Sequence, residues 1–342
     1  MQKNKFNKFI KLFYSLSIAF IYGSWLSSLP SFLFKDRGNY LIYATYSTDI
    51  LEDIGAKGYL FFEPLFLLIN KALLLLFSDP RLTIDLIVFF ISFSVCFFCF
   101  YRSKNFLIAI LTIFFLFVQA QSLGMQLVTI RQGLGLSFMI LLIPLFKKRS
   151  QVLILLLILG LIHNSFYILT LFYSIYLIVF FKFKWSYYTK LIIFYSFGLL
   201  FSFTFMMALQ MIQAKQSYEG FQFSSGGGAF LLWLIVFFYL LFFKRKKKED
   251  VFFNEIAFEL AIIGLVIYTT GYFLTPISGR IIGSFIPFIV LSLLKDFNVK
   301  DFFFFLFIGL VNIYLYDLGA FEGFLRVPLD VFQKKLFGGM CV

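Results

Sequence analysis

The chain has 342 residues, of which 61% are hydrophobic and 14% charged, with a mean hydropathy of +0.93. Those values exclude an ordinary soluble domain and indicate a multipass membrane protein. Its 30 Lys and Arg against 17 Asp and Glu leave a formal charge of +13, and in such a protein that excess marks cytoplasmic loops rather than a nucleic-acid partner.

Met1 to Lys11 is basic and Leu12 to Phe34 apolar. The stretch is too long for a signal h-region and has no convincing cleavage site, so it reads as a first transmembrane helix with its N-terminus inside. Apolar runs follow from about Tyr59 to Phe77, Thr83 to Tyr101, Phe106 to Leu123 and Arg131 to Phe146. Others cover Gln151 to Phe181, Tyr187 to Leu209, Ala229 to Phe243, Phe252 to Thr275, Ile281 to Leu294 and Phe302 to Tyr316. They are continuously apolar rather than alternating, which excludes a β-barrel. The expectation is all-α: a single polytopic domain over residues 1–342, with about eleven transmembrane helices. Cys96, Cys99 and Cys341 lack the flanking ligands of a metal site; no metal or other cofactor is expected.

Basic clusters at Lys147 to Arg149, Lys182 and Lys184, Lys244 to Lys248, and Lys295 with Lys300 assign the cytoplasmic side. Gln151 to Phe181 begins and ends beside such charge. As one straight helix its roughly 31 residues would extend about 46 Å, well beyond a core of about 30 Å. The spacing therefore predicts a hairpin of two short helices turning at His163, Asn164 and Ser165. The same counting starts and ends residues 59–77 on the outer face, which predicts a re-entrant segment entered at Glu63 and Pro64, an ordinary span being the alternative. The loops 35–58 and 210–228 fall outside.

This topology gathers the polar residues Asp36, Tyr40, Glu63, Arg131, His163 and Arg280 on the outer face. Intramembrane or near-membrane Arg and His are costly enough to suggest a site. Arg131 and Arg280 suit phosphate recognition by bidentate contacts, the alternative being guanidinium groups that snorkel to the interface. His163, the chain's one histidine, is suited to proton removal near neutral pH, or it simply lines a turn capped by Asn164 and Ser165. Asp36 and Glu63 compete with it for the role of base. Glu63 has a plain use before Pro64 at a helix start, and Asp36 an alternative as a surface ion pair with Arg37 or Arg81.

In order along the chain, KDRGNYLIY with Asp36 and Tyr40, EPLFLLINKALLLL with Glu63 and Pro64, TIRQGLGLSFMILLI with Arg131 and Gln132, LILGLIHNSFYIL with His163, and PISGRIIGSFIPF with Arg280 resemble the Wzy-type polymerases of bacterial O-antigen and capsule, in their EpsG-like branch. The paired Arg motifs of other Wzy branches are not evident, and the tail from Phe321 to Val342 fits no pattern of the family. The resemblance implies a GT-C-like fold in the bacterial inner membrane and metal-independent glycosyl transfer at the periplasmic face. A growing glycan would pass from undecaprenyl diphosphate to the non-reducing end of an incoming lipid-linked repeat unit. Undecaprenyl-diphosphate-linked oligosaccharides would be the substrates, with membrane lipids around the protein and a chain-length regulator and flippase of the same pathway as partners.

Residues 210–228 carry Tyr218, Phe221 and Phe223 ahead of Gly226 to Gly228. Aromatic faces suit a saccharide and the glycines suit a moving lid, or the segment is a plain connector. The glycines lack the Lys-Ser/Thr ending of a phosphate loop. Rival readings are an O-antigen ligase, a membrane acyltransferase and a lipid-linked oligosaccharide flippase. A transporter would call for two similar halves with polar groups near the bilayer midplane, whereas no internal repeat is visible and the charges gather at one face.

Overall fold

The computed structural model describes residues 2–53, 62–211, 227–245, 252–275 and 278–338, the side chains from residue 9 onward. The described residues are helical throughout, with short 3-10 and π turns and one isolated antiparallel bridge between Phe34 and Leu325 in place of any strand. Among the described residues six helices are long and apolar enough to cross a membrane, or seven if one bent pair counts as a span. The chain is an all-α polytopic membrane protein. Several of the eleven expected runs form shorter helices, because internal glycine, proline and glutamine residues divide them.

The chain divides into two compact units, residues 1–167 with 312–342, and residues 168–311. The first unit is arranged about α5 (Pro80–Arg102), which contacts α1 (Gln2–Ser27), α2 (Arg37–Thr45), α4 (Pro64–Phe77), α6 (Phe106–Val118), α7 (Ala120–Leu127) and α8 (Ile130–Leu142). Asp79 begins α5 by accepting the Arg81 amide at 2.8 Å, with Pro80 at the first helical position. One face of α5 is a stripe of Ile84, Ile87, Val88, Ile91 and Val95, all buried.

Two expectations change here. Of the expected loop 35–58, residues 37–53 are helical rather than open: α2 is followed by α3 (Ser47–Asp53), and Tyr40, Ala44, Ser47 and Leu51 supply the buried positions at helical spacing. The expected re-entrant hairpin over residues 59–77 is absent from the described part, where Pro64 to Phe77 forms one helix. That run has no internal Gly or Pro to turn it. Its 14 residues extend only about 21 Å, short of a core of about 30 Å. The break occurs instead between α6 and α7, which meet at 78°. Gln119, fully buried, sits at the corner and accepts the Ser122 amide at 2.6 Å to start α7.

The stretch around His163 forms two helices, α9 (Arg149–Leu159) and α10 (Ser165–Leu177), with a turn between them. The tail is built into the first unit by the Phe34–Leu325 bridge and by α17 (Leu329–Gly338). Phe332 of α17 stacks edge-on against Phe34, and the Trp25 indole N–H donates to the Leu336 carbonyl at 3.1 Å.

The second unit centres on α13 (Phe252–Gly271), buried over 78% of its most apolar stretch. Around it lie α11 (Tyr187–Met211), α12 (Gly228–Tyr239), α14 (Ser278–Ile282) and α15 (Ile286–Leu294), with the first part of α16 (Val299–Asp317) completing the unit. The run from Ile281 to Leu294 is interrupted by a turn at residues 283–285, ahead of Pro287.

Candidate functional site

Glu63 is the centre of a charged cluster in the first unit. It occupies the position before Pro64 in a left-handed conformation, φ 56° and ψ 52°. For a side chain without the freedom of Gly or Asn this costs about 1–3 kcal/mol and persists only where the surroundings enforce it. Three contacts do so. The carboxylate is ion-paired with Arg131, sits 2.5 Å from Nδ1 of His163, and accepts the backbone N–H of Asn164 at 3.2 Å.

Close packing brings these residues together from positions 63, 131 and 163. The Leu65 N–H donates to the Leu161 carbonyl at 3.0 Å, tying the first turn of α4 to the turn that carries His163. Gly135 in α8 lies so near the Phe166 ring that a Cβ there would overlap it, and Gly160 meets the Tyr167 ring in the same way. Larger residues at either glycine would push the turn away from Arg131. On the other side, the Arg131 guanidinium faces the rings of Tyr40 at 5.6 Å and Tyr43 at 5.1 Å, both on α2.

Burial opposes charge on Glu63. The hydrogen bond to His163, the charges of His163 and Arg131 and the Asn164 amide outweigh it and hold the carboxyl below its usual range. An ionised carboxylate only accepts hydrogen bonds. When the ring is neutral, His163 therefore carries its proton on Nδ1 and presents Nε2 as the basic nitrogen. Glu63 is nearly sealed, with 7% of its side chain exposed, whereas Arg131 and His163 keep 28% and 26%. Nε of Arg131 is buried without a hydrogen-bond partner, as are Oγ of Ser165 and the Tyr167 hydroxyl. The cluster thus combines a positioned imidazole, a cation with an unused donor, and a shielded carboxylate between them. Among the described residues no three His, Cys, Asp or Glu side chains group as metal ligands.

The residue 31–322 portion of the chain matches the EpsG family. The chain belongs to the EpsG family. No curated protein and no solved structure matches it significantly. Membership of EpsG supports a polymerase-type role in polysaccharide biosynthesis, of a glycosyltransferase-like kind, for this membrane protein.

The structure places the other expected site residues as follows. Asp36 is exposed at the start of α2, one turn before Tyr40. The ion pair considered for it is made by another acid: Arg37, fully buried, lies 3.5 Å from Asp85 and donates through Nε to the Leu127 carbonyl at 2.9 Å. Gln132 is buried beside Arg131 in α8. Arg280 is exposed on α14 of the second unit. Tyr218 lies outside the described residues, as does most of loop 210–228. Sequence reasoning missed Tyr43, whose signal was its place three residues after Tyr40 on one helical face, and the depth of Arg37, which gave no signal.

Proposed function

We propose that this EpsG-family protein polymerises lipid-linked oligosaccharide repeat units, with the Glu63–Arg131–His163 cluster at its reaction centre. The observation that supports the reading is that one buried carboxylate contacts an imidazole and a guanidinium side by side. In the reaction, a sugar hydroxyl of the incoming unit attacks the anomeric carbon of the growing glycan. Its proton passes to Nε2 of His163, the new glycosidic C–O bond forms, and the bond to undecaprenyl diphosphate breaks with its electron pair leaving on the diphosphate. Arg131 offsets that developing charge, while Glu63 keeps the imidazole oriented and stabilises the imidazolium. Asp36, exposed, is left as the weaker candidate for base. The site would face the periplasm in the bacterial inner membrane, with the N-terminus cytoplasmic.

A deletion strain complemented with Arg131→Lys tests this. Deletion should leave single repeat units on the acceptor. Arg131→Lys should give short or no polymer at normal protein level, because lysine offers a point charge without the planar fork. Polymer of normal length with Arg131→Lys would overturn the assigned role, and complete absence of surface glycan on deletion would point to a flippase or ligase instead.

A further inference from the structure

α2 has two polar neighbourhoods. Tyr40 and Tyr43 face Arg131, while Gly38 and Leu41, one turn apart on the other side, line a separate groove of about 470 Å³. Its lining includes Arg81, Arg326 and Asp85 and the hydroxyl-bearing residues Ser28 and Ser31. Two of these groups, Arg326 and Asp85, are held in place. Arg326 donates from Nη2 to the Lys35 carbonyl at 3.0 Å, which lays it over Gly38, where a Cβ would stand 3.4 Å from that nitrogen. Asp85, 40% exposed, is ion-paired at 3.5 Å with Nη1 of the fully buried Arg37. Arg81 and Arg326 are the two cations among the lining residues, against one carboxylate, Asp85.

We propose that this groove is a second anion-binding subsite, taking a phosphate- or diphosphate-bearing headgroup with Arg81 and Arg326 on the phosphate oxygens and Asp85 accepting hydroxyl groups. The proposal rests on the polymerase reading for its natural ligand, a lipid-linked sugar diphosphate held about one helix diameter, ~10 Å, from Arg131. A transfer between two lipid-linked molecules needs two such headgroup sites, and the Glu63 cluster accounts for one. The apolar part of the lining, Leu29, Pro30 and Phe32, suits the lipid-proximal end of such a molecule. It also gives the tail a role, since Arg326 lies beyond the family-matched residues.

The same phosphate chemistry could come from a bilayer phospholipid, and the experiment separates the two. The full-length protein carrying Arg131→Gln, so that the Glu63 cluster contributes least, is placed in phosphatidylcholine nanodiscs and titrated with inorganic diphosphate. Saturable binding is expected, weakened at least tenfold by Arg81→Gln and by Arg326→Gln, with thermal melting showing that both variants stay folded. Arg81→Glu serves as a second surface change should Arg326→Gln lower the melting point. Binding that survives in nanodiscs containing phosphatidylglycerol assigns the groove to a diphosphate ligand, whereas competition by phosphatidylglycerol assigns it to a phospholipid headgroup and overturns the substrate subsite. No binding, or binding indifferent to both arginines, overturns the site itself. Because the readout is binding, its failure is distinct from failure of the polymerase reading, which is judged by glycan length in cells.

Discussion

Each unit contains a buried ionic cluster, and the two are built to opposite specifications. In the second unit Lys244 and Asp301 lie 2.7 Å apart with side chains only 5% and 3% exposed. Asp301 also accepts the Tyr239 hydroxyl at 2.6 Å and the Asn298 amide at 2.8 Å, and Lys244 donates to the Lys295 carbonyl at 2.6 Å. Both charged groups there have several partners, Lys244 from a π turn and Asp301 from the first turn of α16. The Glu63 cluster has a strained backbone at its centre, two members a quarter exposed and a buried guanidinium nitrogen still without a partner. A saturated network fixes a fold, while an unsaturated one has bonding capacity left for a substrate.

The largest effect that would break this comparison is on rate. His163→Ala should lower polymer formation by about 10²–10⁴-fold, the usual loss on removing a general base, with melting temperature close to that of the parent. A drop below tenfold would reduce His163 to a structural group.

Next comes stability in the second unit. Asp301→Asn leaves Lys244 charged and sealed, and should cost about 3–5 kcal/mol in detergent unfolding, while activity per folded molecule is kept. Replacing both partners, Lys244→Met with Asp301→Leu, should restore most of it, since an apolar pair of similar volume removes the uncompensated charge. No recovery in the double variant would mean that the hydrogen bonds to Tyr239 and Lys295, rather than the charges, hold the unit.

The smallest effects sharpen the role of Glu63. Glu63→Asn should be more stable than Glu63→Gln by about 1 kcal/mol, because Asn accepts left-handed backbone, although both should be inactive. The folded-state pKa of Glu63 lies below its ordinary 4.5, so its charge-dependent stabilisation is fully present above that value and is lost as pH falls through the lowered one. The stability gap between the parent and Glu63→Gln should shrink as pH falls below about 4.5 in acid unfolding measurements. A gap that instead grows on acidification would contradict the ionised carboxylate.

Periodicity and composition made the all-helical membrane architecture legible, and charge placement together with the length of the run located the turn at His163. What could not be read was partnership. Arg131 has no acidic neighbour in sequence, and its partner stands at Glu63, brought close by the Leu65–Leu161 hydrogen bond and by two glycines whose value is visible only against the rings of Phe166 and Tyr167. Glu63 and His163 looked like competitors for one role because nothing local says that a carboxylate and an imidazole 100 positions apart are bonded. The corner at Gln119 was hidden for another reason: a single amide in an apolar run reads as a tolerated polar residue, and only its burial and its bond to the Ser122 amide make it a helix start.

The bridge between Phe34 and Leu325, with Trp25 bonded to Leu336, bears on the order of assembly. The first unit contains both the earliest helix and residues 312–342, separated by the whole of the second. At roughly 5–20 residues per second, translation of that insert takes on the order of ten seconds. During this interval Trp25, Phe34 and Gly38 wait without the residues of the later segment that contact them. The unit that carries the Glu63 cluster is completed only after the second unit has been made, so its maturation is timed by synthesis of the insert.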